Sequence, residues 1–222
     1  MKNKEISYEI IDFSGETNVQ FRTSVDPGSY IPTHWHRAIE IIYMQEGSLD
    51  VTVESESFTI HEGDCILVNG NVLHSTKCTA PNTAILLQIP LDFMAKYIPD
   101  LGQLIFLWDY RTEDPVKKTK LMMLKTTLEQ LQVINDIRPD GYLLRFNSLI
   151  FELLFQLYHN FSVKVFHQNI NQRQKEMDRL DPVLNYIAEH YKEPISLDEI
   201  ADIACLQTGY FCRFFKKKMG VT

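Results

Sequence analysis

The 222-residue sequence predicts an α+β fold: an N-terminal β-barrel carrying a helical hairpin, followed by a small all-α helix-turn-helix unit. Three observations predict it. Short β-branched and aromatic runs, split by turn signals, fill the region before Pro90. Helical periodicity takes over after Pro90, and two short capped helical segments close the chain.

The expected strands are Tyr8–Phe13, Val19–Val25, Ile39–Gln45, Leu49–Val53, Cys65–Val68 and Ala84–Ile89, separated by turns such as Asp26-Pro27-Gly28 and Asn69-Gly70-Asn71. Many short strands at this spacing predict a sandwich or barrel. Lys117–Ile134 then places Leu121, Leu124, Leu128 and Leu131 on one helical stripe. Pro139-Asp140-Gly141 breaks it, and a second helix is expected over Tyr142–Phe161. That second helix is apolar on most of its surface, so it needs cover on several sides. A hairpin of this kind can pack on the barrel and also meet a partner subunit, which predicts a homodimer through residues 117–161. Residues 166–176, rich in Gln, Asn and Lys, read as a linker between a domain over 1–165 and one over 177–222.

Composition bounds the function classes. Hydrophobic residues make up 45% and charged residues 23%, as in ordinary globular proteins. No run of about 18 apolar residues appears, and no apolar signal core follows Met1-Lys2-Asn3-Lys4-Glu5. The expected location is the cytoplasm, with no membrane partner. Cys65, Cys78, Cys205 and Cys212 form neither a CxxC pair nor a zinc spacing and read as reduced thiols. Net charge is −7, yet residues 173–222 hold 8 Lys/Arg against 8 Asp/Glu, so the acidic excess lies ahead of them. Arg213, Lys216, Lys217 and Lys218 cluster at one end.

One constellation carries chemistry. His34, His36 and Glu40 are all even-numbered, so on a single strand they would share a face. His74 would join them from an adjacent strand. This set suits Fe(II), Mn, Zn or Ni. It equally suits a metal-free polar pocket for a sugar or small acid, with Trp35 and Tyr43 available to stack.

Gly28-x5-His34-x-His36-x3-Glu40-x6-Gly47 resembles the first motif of the cupin superfamily at every fixed position. The second motif is matched in part, by Gly63 and His74; Asn69 stands for Pro, Asn71 for Gly and Cys78 for Asn. The resemblance implies a jelly-roll-like barrel in which His34, Trp35, His36, Glu40 and His74 form a ligand-binding pocket. No catalytic residue, metal or cofactor is required by that reading.

At the other end, Ser196-Leu197-Asp198-Glu199 is a capping box opening a short helix. A turn at Cys205-Leu206-Gln207 leads into Gly209–Met219 with basic residues, a helix-turn-helix signature. Ile195-Ser196-Leu197-x2-Ile200-Ala201 with Tyr210-Phe211-x-Arg213-x-Phe215-Lys216 resembles the first helix-turn-helix of the AraC/XylS family. That resemblance implies a transcription regulator with an N-terminal cupin sensor and a two-helix dimerisation hairpin. Its second helix would enter the major groove, with Thr208, Gly209, Cys212 and Arg213 at base edges and Lys216 and Lys217 at phosphates. Tyr210, Phe211, Phe214 and Phe215 would pack. Gln207 replaces a Ser N-cap, so Thr208 is expected to cap the helix one residue later. The family also carries a linking helix and a second helix-turn-helix, so a sequence ending at Thr222 reads as a fragment or truncated gene.

The leading expectation is a ligand-responsive, sequence-specific DNA-binding transcription regulator. Its partners would be promoter DNA, a small-molecule effector such as a sugar, and a second copy of itself. The alternatives are a metal-dependent cupin enzyme, or a truncated dimerisation partner that antagonises full-length relatives.

Overall fold

Contacts divide the chain into two units: Glu9–Val165, and Met1–Tyr8 with Phe166–Thr222. The structure is a computed structural model and describes residues 7–11, 13, 15–165, 179, 180, 182–184, 186, 187 and 190–219. The expected linker at 166–176 lies outside the described residues.

After a two-residue strand β1 (Ser7–Tyr8), the larger unit builds two antiparallel sheets. One holds β2 (Gln20–Asp26), β9 (Asn82–Pro90), β4 (Ala38–Glu46) and β7 (Cys65–Val68), in that order. The other contains β3 (Tyr30–Trp35), β8 (His74–Lys77), β5 (Ser48–Val53) and β6 (Glu56–His61), again in that order.

Period-two alternation sorts β4 between two cores. Ile42 and Met44 cluster with Val51, Ile60, Ile66 and Ala84 from both sheets. Ile39 and Ile41 join Ile85, Leu87 and Ile89 of β9 and face the helical hairpin. This strand is therefore apolar on both sides. Glu40 and its cross-strand partner Gln88 fall on the same parity as Ile42, at the polar end of the sheet-to-sheet interior.

A short helix α1 (Leu91–Ala95) follows β9. Strands β10 (Leu104–Phe106) and β11 (Ser162–Lys164) then pair antiparallel and bracket the hairpin. Helix α2 (Pro115–Ile137) starts where Asp114 accepts from the amides of Val116 and Lys117, with Pro115 in the first turn. Its Leu121, Leu124, Leu128 and Leu131 are buried, as the periodicity predicts. Helix α3 (Tyr142–Gln156) runs into a π-type turn at Leu157–Phe161 rather than continuing as regular helix. Phe146, Leu149, Ile150 and Leu153 complete the layer over the β2–β9–β4–β7 sheet.

Five described strands of the larger unit, β3, β6, β8, β10 and β11, are absent from the sequence expectation, and the expected strand Tyr8–Phe13 shrinks to Ser7–Tyr8. In the smaller unit, residues 179, 180, 182–184, 186, 187 and 190 are helical. They are followed by α4 (Leu197–Ile203) and α5 (Thr208–Met219). Leu180, Val183, Ala201, Ala204, Phe211 and Phe214 are buried. The capping box forms as predicted: Ser196 Oγ accepts from the Glu199 amide, and the Glu199 carboxylate accepts from the Ser196 amide. No described helix is long and apolar enough to cross a membrane.

Candidate functional site

His34, His36, Glu40 and His74 converge, but not along one strand. β3 ends at Trp35 and β4 begins at Ala38, so the chain crosses from one sheet to the other at His36-Arg37. The corner delivers His34 from one sheet and Glu40 from the other. His74 opens β8 directly opposite His34. All four are buried, with exposures of 6%, 1%, 5% and 1% in chain order.

Each imidazole is oriented by its own backbone. The Nδ1 atoms of His34, His36 and His74 donate to the carbonyls of Pro32, Ala38 and Val72 at 2.8, 3.0 and 2.9 Å. A carbonyl only accepts, so these contacts place a proton on Nδ1 of each ring and turn Nε2 inward. The Nε2 atoms nevertheless face carboxylates. His36 Nε2 stands 3.2 Å from Glu40 Oε2, His74 Nε2 3.9 Å from Glu40 Oε1, and His34 Nε2 3.5 Å from Glu9 Oε2. An inward Nε2 and a carboxylate can meet only through a positive centre, a proton on Nε2 or a cation, between them. His74 Nε2 is buried with no hydrogen-bond partner.

Electrostatics separates the members. Burial pushes His74 down to about 4 against the pull of Glu40, so the ring is neutral at pH 7. Burial also opposes the Glu40 carboxylate. The His36 contact, the imidazole charges and the Gln88 amide outweigh burial and hold the group down at about 2. Since His74 is neutral at pH 7, the contacts from His36 and from Gln88 Nε2 (2.7 Å) sustain that shift there. Ligand atoms of the three histidines lie within 4.8 Å of one another. The residues thus fit a divalent cation: oriented imidazoles, an ionised carboxylate and an orphaned buried nitrogen.

The two rings expected to stack on a ligand do not join the cluster. Trp35 is fully buried and, one step out of phase with His34, lies on the opposite side of β3. Tyr43 has the parity of Ile41, and its hydroxyl donates to Glu129 of α2 at 2.9 Å. Gln88 and Glu9 were not expected. Gln88 was legible as a polar residue in the apolar run of β9; Glu9 carries no local signal.

The departures from the second cupin motif each have a structural role. Asn69 forms two hydrogen bonds with the Phe106 backbone, at 2.8 and 2.9 Å. Asn71 takes a left-handed φ of 64°, which Asn tolerates, and its amide donates to the His36 carbonyl at 2.9 Å. Cys78 Sγ lies 3.0 Å from the Ala80 carbonyl and accepts from the Asn82 side-chain Nδ2 at 3.2 Å.

On α5, Phe211 and Phe214 are buried while Gly209, Arg213, Lys216 and Lys217 are exposed and Thr208 and Cys212 half-buried. Helical spacing puts these six residues on one side. Tyr210 is 51% exposed rather than packed, and stacks on Phe214. Gln207, not Thr208, holds the N-cap position: its carbonyl accepts from Tyr210 and Phe211. The Thr208 hydroxyl instead donates to Asp198 at 2.7 Å and ties the start of α5 to α4.

Residues 21–90 match the family profile of the cupin domain, and residues 187–222 match that of bacterial regulatory helix-turn-helix proteins, AraC family. The chain joins a cupin domain to an AraC-type helix-turn-helix. The chain is 24% identical to the uncharacterized HTH-type transcriptional regulator YdeC of Bacillus subtilis (strain 168), an alignment covering 100% of the chain and 80% of the relative. It is 27% identical to the probable transcriptional regulator LumQ of Photobacterium leiognathi, over 85% of the chain and 68% of the relative. Among solved structures, an RmlC-like cupin from Shewanella frigidimarina NCIMB 400 aligns with 34% of this chain and 70% of its own at 26% identity, TM-score 0.31.

Proposed function

We propose that the protein is a ligand-responsive, sequence-specific DNA-binding transcription regulator, sensing through residues 1–165 and contacting DNA through residues 177–222. The observation that carries this is the exposed Arg213-Lys216-Lys217 face of α5, within the segment matching the AraC family. Arg213 is the base reader and the two lysines anchor phosphates, with Thr208, Gly209 and Cys212 against the groove. Relatives named as transcriptional regulators support the same reading. Selection of duplexes from a random-sequence pool at low salt tests it. The parent should enrich one motif and Arg213→Ala should not; a parent that enriches none sinks the idea.

The buried histidine cluster is the sensing centre of this regulator, and a divalent cation belongs to it. The orphaned His74 Nε2 among acceptor-facing imidazoles favours a cation over an empty polar pocket. His34, His36, His74 and Glu40 would hold it, and when bound it supplies a Lewis-acidic anchor for an oxygen-bearing effector, a sugar or small acid. Metal analysis of protein purified without a nickel column tests this. One equivalent in the parent and none in His36→Ala is expected; equal, sub-stoichiometric metal in both rejects it.

A homodimer through residues 117–161 completes the proposal. Met122, Met123, Leu144, Phe151 and Phe155 are exposed at 60%, 50%, 81%, 42% and 59% on the hairpin. Between α2 and α3 lies an open groove of about 480 Å³. So much apolar surface on one element calls for a cover.

A further inference from the structure

Glu9 belongs to none of the motifs, and it reaches the histidine cluster from far ahead in sequence. Its amide donates to the Trp35 carbonyl at 2.9 Å, which pins the main chain between the two histidines flanking Trp35. From there Glu9 Oε2 stands 3.5 Å from His34 Nε2 and 4.0 Å from His36 Nε2. Glu40 serves the other side, 3.2 Å from His36 Nε2 and 3.9 Å from His74 Nε2. The two carboxylates thus share three inward nitrogens, with His36 common to both.

We propose that Glu9 is a second carboxylate donor of the cation site and closes it from the solvent side, an assignment that rests on the cation reading above. Charge balance supports it. Three neutral imidazoles and one carboxylate leave a divalent cation with a net positive charge in a buried setting. A second carboxylate neutralises it, and an uncompensated buried charge is expensive. Exposure supports the direction of closure: the Glu40 side chain is 7% exposed and the Glu9 side chain 44%. Glu9 also lies outside regular secondary structure, so its placement depends on the Trp35 contact and the cluster rather than on a strand ladder.

The full chain, stripped with a chelator, is titrated calorimetrically with Zn²⁺ and separately with Mn²⁺, as parent and as Glu9→Gln. Expected is one cation per parent chain and an affinity about tenfold or more weaker in Glu9→Gln. The metal-free melting temperature should not change, since a half-exposed Glu is replaced by its isostere. Co²⁺ loaded into both proteins supplies a second readout. Its visible absorption should intensify in Glu9→Gln, because losing a donor lowers the coordination number. Equal affinity and identical Co²⁺ spectra, with the parent binding normally, overturn the role of Glu9 while the cation reading stands. No uptake by the parent overturns both.

Discussion

Arg213 and its neighbours Lys216 and Lys217 share one face of α5, yet their substitutions should read differently. A guanidinium pairs bidentately with a guanine edge, so Arg213→Ala should cost about 1–3 kcal/mol on the selected motif and relax preference at one base position. Lys216→Ala and Lys217→Ala should weaken all sequences alike and lower the salt slope by about 1 each; competition gel shifts over a salt series separate the two patterns. Gly47 gives a stability counterpart. Its φ is 78°, and a Cβ there would meet the Pro81 carbonyl at 2.8 Å and Asn82 Cβ at 3.0 Å. Gly47→Ala should therefore destabilise by about 2 kcal/mol or more, read as a lower urea midpoint at unchanged slope. The same residues show what a sequence exposes. Gly47, His34, His36 and Glu40 were legible because a fixed spacing across one β-corner is a local property. Glu9 was not, because its approach depends on a backbone contact with Trp35 that no spacing encodes.

The turn between α4 and α5 runs against its own residue choice. The Leu206 amide donates to the Ala201 carbonyl and the Cys205 amide to the Asp202 carbonyl, the bond pair of a Schellman cap. Cys205, at the left-handed position with φ 53°, carries a Cβ where glycine would carry none. Cys205→Gly should stabilise the protein by about 0.5–1 kcal/mol, visible as a higher thermal midpoint; a lower one would mean the exposed thiol makes a compensating contact. Elements of this kind were read from sequence through their caps and periods. Ser196 with Glu199 announced α4, and the leucine stripe announced α2. The missed strands lack both signals. β3 contains Pro32 and has a register irregularity between Ile31 and His34. The β5–β6 hairpin turns at Glu54, which takes φ 55° without the Gly or Asn that marks such a turn. β8 is four residues of His, Ser, Thr and Lys, and its three buried positions follow from pairing with β3 and β5 rather than from apolar composition.

At the scale of the whole molecule, the number of charges on DNA links the hairpin to function. Among the described side chains, α5 presents Arg213 to a base edge and Lys216 and Lys217 to phosphates, all three exposed. Each neutralised phosphate contributes about −0.9 to the slope of log K against log salt. A monomer whose two lysines each neutralise one phosphate should show a slope of about −1.8, and a dimer engaging two units about −3.6. The second unit then binds at an effective concentration set by the tether rather than by bulk protein, so affinity rises steeply without a new contact. Phe155 and Met122 lie on the exposed side of the hairpin, outside the leucine stripe that packs on the β2–β9–β4–β7 sheet. Placing charge there should oppose association while sparing the core. Met122→Glu with Phe155→Glu should therefore convert a parent sedimenting at about twice 25.9 kDa into a species near 25.9 kDa. The salt slope should halve in the same variant, with the melting temperature of the cupin unit retained. A parent that already sediments as a monomer, or a variant that keeps both its mass and its slope, would place the dimer contact elsewhere and return the groove between α2 and α3 to solvent.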